Sequence, residues 1–166
     1  MAYSLIVHGA CRGLGVGSCA ASFAIAENKK PKLCGSYYIG HGTANFAYHV
    51  AVVLGVLHIR GLSFKDIALT IKTNNISVLS TAKGPFHSND QYREKATPRE
   101  QRLQNLYEFE HALLRFCNVE TEQISGESIN YLRELNNKSI IQKKGMDTFE
   151  KDLFKNRGID LDAVYL

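Results

Sequence analysis

The sequence predicts an α/β fold: one domain whose five-stranded mixed sheet has three antiparallel strands, then two further strands, flanked by helices. Three observations favour it. The N-terminal segment holds three apolar runs separated by short turns, which is typical of an antiparallel meander. Two later strand-like runs alternate along the chain with segments of helical periodicity, as is typical of α/β folds. With 166 residues and 45% hydrophobic side chains, the chain can bury one compact core.

The first three strands are predicted from alternation and turn residues. Residues 3–8 (YSLIVH) alternate in polarity and end at Gly9. Residues 13–27 are spaced by glycines and rich in small side chains, which favours a second strand. A turn containing Pro31 precedes the third strand, residues 33–40 (LCGSYYIG).

The next elements are a long helix, a strand and a short helix. Thr43 can cap the first helix, and Gly61 is predicted to close it. Apolar residues recur between them at helical spacing: Phe46, Val50, Val53, Leu54 and Leu57. Residues 67–73 (IALTIKT) are apolar and β-branched, so we predict a buried strand, followed by a helical run at 75–84.

The second half begins with a polar segment, residues 85–98, which we interpret as an exposed loop. A helix is predicted from Arg99, with an apolar stripe of Leu103, Leu106, Phe109, Leu113 and Phe116. A fifth strand at 119–125 precedes a last helix opened by Ser128. We therefore expect the domain to span residues 1–144, and residues 145–166 to form a helical tail that packs on the domain or on a partner.

Composition narrows the functional classes. Residues 1–83 carry eight Lys or Arg against two acids, net +6, whereas the remainder is net −2, so a basic half could face nucleic acid.

The chain shows no signal-peptide pattern and nothing near the ~20 apolar residues of a membrane helix, so we expect an intracellular protein, cytoplasmic or nuclear. Its four cysteines lack metal-ligand spacing and are expected to be buried thiols.

Four local motifs occur at the ends of these elements. The first strand ends in His8 followed by Gly-Ala-Cys-Arg-Gly, and the first helix starts Thr-Ala-Asn-Phe-Ala-Tyr with Tyr48. Thr-Asn-Asn, with Asn74, follows the fourth strand, and the last helix carries Leu-Arg-Glu-Leu-Asn with Arg133. In this order, over residues 3–142, the motifs resemble the type 1 ribonuclease H domain, particularly its archaeal and plant-like branch.

The resemblance implies a hydrolase of the RNA strand in RNA/DNA hybrids, but one without its catalytic acids. His8, Tyr48, Asn74 and Arg133 stand where that family carries metal-binding carboxylates. Two divalent ions about 4 Å apart need several carboxylate oxygens. Replacing four anions by three neutral groups and one cation changes the local charge by about five units. We therefore expect no metal, no cofactor and no ordinary ribonuclease H activity.

The same substitutions suggest a ligand. A site with Arg133, the amides of Asn74 and Asn75, and His8 could accept a phosphate without a metal ion. Arg12 and Asn45 match substrate-contacting positions of the family, so they join the candidate nucleic-acid-binding residues. The leading hypothesis is an inactive module that binds RNA or RNA/DNA hybrid.

Two alternatives remain open. The fold could serve as a protein-interaction scaffold, with the helix stripe or the C-terminal Val-Tyr-Leu contacting a partner. The chain could instead be an enzyme with relocated chemistry that cleaves RNA without metal by means of His8. No membrane or small-molecule partner is expected.

Overall fold

Five strands form one sheet in the computed structural model, which describes residues 2–13, 15–62, 66–83 and 95–165. The strands are β1 (Ala2–Arg12), β2 (Gly17–Glu27), β3 (Lys30–Gly42), β4 (Ile67–Thr73) and β5 (Cys117–Gln123). Their order across the sheet is β3-β2-β1-β4-β5. β1, β2 and β3 pair antiparallel, whereas β4 pairs parallel with both β1 and β5. This confirms the predicted mixed sheet.

The helices follow the predicted order. They are α1 (Ala44–Leu62), α2 (Ile76–Lys83), α3 (Pro98–Leu114), α4 (Asn130–Gln142) and α5 (Thr148–Lys155), with a 3-10 turn at Gly126–Ile129. Thr43 caps α1 as predicted, since its Oγ1 accepts from the Phe46 backbone N at 3.1 Å. None of the described helices is long and apolar enough to cross a membrane.

α1 and α4 lie on opposite faces of the sheet. Leu5 and Gly9 of β1 face α1, and the strand and helix approach closely at both residues. A Cβ atom added to Gly9 would lie only 2.3 Å from the backbone N of Tyr48 on α1. A Cβ atom added to Gly55 on α1 would lie only 2.3 Å from the Leu5 side chain. His8 and Ser22, which pair across β1 and β2, instead contact α4. Side chains alternate between faces of a strand, so this register fixes which residues meet which helix.

The segment after Gly145 packs against the sheet and α3. Its apolar residues Met146, Phe154, Ile159 and Leu161 are buried in the same core as the strands. The buried guanidinium of Arg102 on α3 donates to the Asp160 carbonyl at 3.2 Å and to the His41 carbonyl at 2.8 Å. The position of the domain boundary at residue 144 stays a prediction.

Several local predictions were wrong in detail. Ser128 does not open the last helix, because the 3-10 turn intervenes and α4 begins at Asn130. In the predicted stripe of α3, Leu106, Phe109 and Leu113 are buried, but Phe116 follows the helix and is 58% exposed.

Three further differences concern the ends of elements and the thiols. α1 continues one residue past Gly61, and β5 starts at Cys117 rather than residue 119. Residues 85–94, most of the predicted loop, lie outside the described residues, and α3 begins at Pro98 after the cap Thr97. All four cysteines are free, but only Cys19 is buried: Cys11 and Cys117 are half-buried and Cys34 is exposed, contrary to the expectation of buried thiols.

Candidate functional site

The four positions singled out from the sequence meet at one edge of the sheet. His8 lies within β1, just past the segment that pairs with β4, and Asn74 follows β4 directly. The Thr73 hydroxyl donates to the Val7 carbonyl at 3.1 Å, which sets the next residues, Asn74 and His8, side by side. Tyr48 approaches from α1 and Arg133 from the first turn of α4.

Tyr48 fills the space between His8 and Asn74. Its ring meets the His8 ring edge-on, with centroids 5.3 Å apart and planes at 66°. Its hydroxyl donates to Asn74 Oδ1 at 2.8 Å. The absence of a side chain at Gly9 permits this placement, since the backbone of α1 at Tyr48 lies where a Cβ would stand. Tyr48 is therefore 9% exposed and plugs the cleft.

Asn136 completes the arrangement, and the sequence interpretation missed it. Its Nδ2 donates to His8 Nδ1 at 2.8 Å and lies 3.3 Å from the His8 carbonyl oxygen. Its Oδ1 accepts from the Ser36 hydroxyl at 3.1 Å, and Ser36 in turn contacts Ser139 Oγ at 2.8 Å. We call His8, Tyr48, Asn74 and Asn136 the His8 cluster. A signal was available, because Asn136 and Ser139 are polar residues on the same face of the helix as Leu132 and Ile140.

The His8 cluster is electrically neutral at pH 7. An amide nitrogen can only donate, so His8 Nδ1 accepts, and Nε2 carries the hydrogen of the neutral ring. Burial, and secondarily the charge of Arg133, lowers the pKa of His8 to about 4. Burial also raises the pKa of the Tyr48 phenol, although Arg133 and the hydrogen bond to Asn74 oppose this. Both groups are therefore uncharged.

Arg133 supplies the charge at the mouth of the cleft. Its side chain is exposed, and Nη1 donates to Asn130 Oδ1 at 3.0 Å. Its positive charge acts on both His8 and Tyr48. An exposed guanidinium beside neutral donors is an arrangement suited to anions.

The other candidate binding residues stand apart from the His8 cluster. Asn75 Oδ1 accepts from the Val78 backbone N at 2.9 Å and so caps α2. Asn45 Nδ2 donates to the Tyr107 hydroxyl at 3.1 Å and is thereby directed towards α3. Arg12 is exposed at the end of β1. The structure thus assigns a local structural role to the side chains of Asn75 and Asn45.

The donor set at the cleft does not suit a pair of Mg²⁺ ions. Mg²⁺ requires oxygen ligands, usually with carboxylates, in near-octahedral geometry. The cleft offers an imidazole with Nδ1 already bonded to Asn136, a phenol bonded to Asn74, and a guanidinium. In the part of the chain that the structure describes, no group of three or more His, Cys, Asp or Glu side chains could hold a metal ion.

Comparison with known proteins identifies the fold. No protein-family model and no curated protein matches the chain. Ribonuclease H1 from the halophilic archaeon Halobacterium salinarum NRC-1 superposes with a TM-score of 0.68 at 17% identity, covering 86% of this chain and 99% of that one. LC11-RNase H1 in complex with RNA/DNA hybrid gives 0.66 at 17% identity, with coverages of 84% and 97%.

A third similar structure is the N-terminal ribonuclease H domain of a Mycobacterium tuberculosis protein, fused to maltose-binding protein. It gives a TM-score of 0.67 at 16% identity and covers 86% of this chain and 95% of that one. Each of the three structures covers most of this chain. The chain has the fold of ribonuclease H1 domains, as its motifs predicted.

Proposed function

We propose that this chain is a ribonuclease H-fold module that binds RNA or RNA/DNA hybrid without a divalent metal ion and does not hydrolyse it. One observation carries the proposal: the cleft where the resemblance places four carboxylates holds a neutral hydrogen-bonded network and an exposed arginine. A similar structure, LC11-RNase H1, is a complex with RNA/DNA hybrid, which makes this ligand class the first to test.

The electrostatics favour direct phosphate binding. A cleft lined by carboxylates repels a phosphate unless a metal ion intervenes, whereas here the cleft residues are neutral and Arg133 is cationic. Arg133 gives up one exposed hydrogen bond, to Asn130, when it turns to a phosphate, so the exchange costs little. A guanidinium can then donate two parallel hydrogen bonds to phosphate oxygens.

The two alternatives find less support. Metal-free cleavage would require His8 to take a proton, but a ring with a pKa of about 4 is a weak base at neutral pH, and Asn136 occupies its Nδ1. The scaffold hypothesis places its contact on the helix stripe or on the C-terminal Val-Tyr-Leu. Leu106, Phe109 and Leu113 of that stripe are buried within the domain, which leaves Phe116 and Val164 as its exposed apolar side chains among the described residues.

Fluorescence anisotropy tests the binding. Labelled single-stranded RNA, duplex RNA, duplex DNA and RNA/DNA hybrid are each titrated in EDTA and in Mg²⁺ over a salt series. We expect binding in EDTA that weakens with salt. Arg133→Ala should lower the affinity about tenfold. It should also reduce the slope of log affinity against log salt concentration by about one.

Lys138→Ala is the matched control. Lys138 is also exposed on α4, but five residues after Arg133 it lies roughly 140° around the helix. This variant removes one positive charge from the same helix and should bind within about twofold of the wild type, because the lost charge is distant and screened. Binding that needs Mg²⁺, or equal losses in the two variants, would refute the proposal.

A hydrolysis assay tests the second half of the proposal. RNA/DNA hybrid incubated with the protein in Mg²⁺ or Mn²⁺ should stay intact, since the cleft provides no carboxylate to hold the ions. Metal-dependent cleavage that co-purifies with the folded protein would show that it is an enzyme.

A further inference from the structure

A second histidine lies in a different setting, between α1, α2 and α3. His49 and Glu110 are both fully buried, and His49 Nδ1 lies 2.6 Å from Glu110 Oε2. On the other side of the ring, His49 Nε2 lies 2.9 Å from Ser77 Oγ. The Tyr107 ring packs against the imidazole with centroids 4.6 Å apart. We call Ser77, His49 and Glu110 the Ser77 array.

The hydrogen bonds of the Ser77 array have a defined direction. A carboxylate only accepts, so His49 Nδ1–H donates to Glu110, and a neutral imidazole then presents the lone pair of Nε2 to the serine hydroxyl. The other carboxylate oxygen, Glu110 Oε1, is buried and has no hydrogen-bond partner among the described residues. The carboxylate is therefore committed to orienting His49. This is the order of groups that activates a serine nucleophile.

Ser77 is the accessible end of the array. It is half-buried, whereas the other two side chains have no exposed surface. It stands at the second position of α2, just after the turn that follows β4, near the positive end of the helix dipole. The preceding residue, Ile76, is 70% exposed. Ser77 is therefore the member of the array through which a reagent would have to enter.

We propose that the Ser77 array is a nucleophilic centre that reacts with small carboxylic esters. Ser77 Oγ bonds to the acyl carbon while its proton passes to His49 Nε2. The ester bond breaks, and the departing alcohol takes that proton. Water then attacks the acyl-serine, giving its proton to His49 and on to Ser77 Oγ, and the carboxylic acid leaves. Glu110 is a positioning residue. None of these groups belongs to the His8 cluster, so this proposal stands independently of nucleic-acid binding.

A fluorophosphonate probe tests the nucleophile. Its phosphorus forms a bond to the serine oxygen and loses fluoride, and peptide mass spectrometry locates the adduct. We expect one adduct, at Ser77, that is absent from Ser77→Ala and present in Ser80→Ala. Ser80 is the matched control because it is exposed on the same helix but donates to the Ile76 carbonyl at 2.8 Å rather than to a base.

His49→Asn tests the base, and Glu110→Gln tests the positioning residue. In folded protein, checked by circular dichroism, the first should slow labelling of Ser77 about a hundredfold. Glu110→Gln should slow labelling while the protein remains folded, which a purely structural role would not produce.

p-Nitrophenyl acetate provides a substrate readout, with release of p-nitrophenolate expected from the wild type and lost in Ser77→Ala. No adduct on folded wild-type protein, or equal labelling of Ser77 and Ser80, would overturn the proposal. Neither outcome depends on whether the His49 variant folds. Ser77→Ala should leave hybrid binding unchanged, which separates this test from that of the proposed function.

Discussion

His8 and His49 are both removed from solvent, but their hydrogen-bond partners differ. His8 meets an amide donor and a phenol, and its burial together with the nearby guanidinium favours the neutral ring. His49 meets a buried carboxylate at one ring nitrogen and a hydroxyl at the other. Tyr48 and His49 are adjacent on α1, and a rotation of about 100° separates the two environments. Burial is common to both rings, so their partners are what distinguishes them.

The largest expected effect comes from breaking the pair around His49. Glu110→Ala leaves the buried His49 Nδ1–H without its acceptor and opens a cavity, and it should lower the free energy of unfolding by about 3 kcal/mol. Urea denaturation measures the loss. A double-mutant cycle with His49→Leu isolates the coupling of the pair. A loss below about 1 kcal/mol would mean that the pair contributes little to the fold.

The pH dependence of stability should come largely from His8. Its pKa is lowered on folding from 6.5 to about 4, so the unfolded chain binds more protons between these values, and stability falls as the pH drops through this window. The full shift corresponds to about 3 kcal/mol at the low-pH end. Urea denaturation from pH 7 to pH 4 measures it. His8→Gln should remove this part of the slope, and an unchanged slope would contradict the assignment.

Asn136→Ala should have a smaller effect. It removes the donor to His8 and the acceptor for Ser36, leaving polar groups unpaired in the interior, at a cost of about 2 kcal/mol. Thermal unfolding gives the stability. Ser139→Ala, which removes only the neighbouring hydroxyl contact, serves as the control and should cost less. A smaller loss for Asn136→Ala than for its control would show that the amide does not hold the cluster together.

Tyr48→Phe is expected to have the smallest effect. It keeps the ring that plugs the cleft and removes the hydroxyl that donates to Asn74, for a loss of about 1 kcal/mol. Binding of RNA/DNA hybrid should persist, because this variant leaves Arg133 unchanged. A loss of binding as large as that of Arg133→Ala would assign the phenol a direct contact with the ligand.

The sequence was informative where a local pattern carried the signal. Strand alternation, helix periodicity and the order of short motifs were enough to predict the sheet and to bring His8, Tyr48 and Asn74 to one edge. The Ser77 array could not be found in this way, since Ser77 and Glu110 lie 28 and 61 residues from His49 and meet it only through helix packing. Asn136 lies 128 residues from His8, so the helix pattern places its amide on the buried face but does not show which residue it meets.

The burial of Arg102 affects the order in which segments of the chain fold. Its guanidinium is buried and is held by the carbonyl of Asp160, 58 residues later in the chain, and by the ring of Tyr165. A buried cation is costly without its partners. During synthesis, we expect α3 to pack less firmly on the sheet until those residues have left the ribosome. We expect the packing of α3 against the sheet to be completed only when the segment containing Asp160 and Tyr165 docks on Arg102.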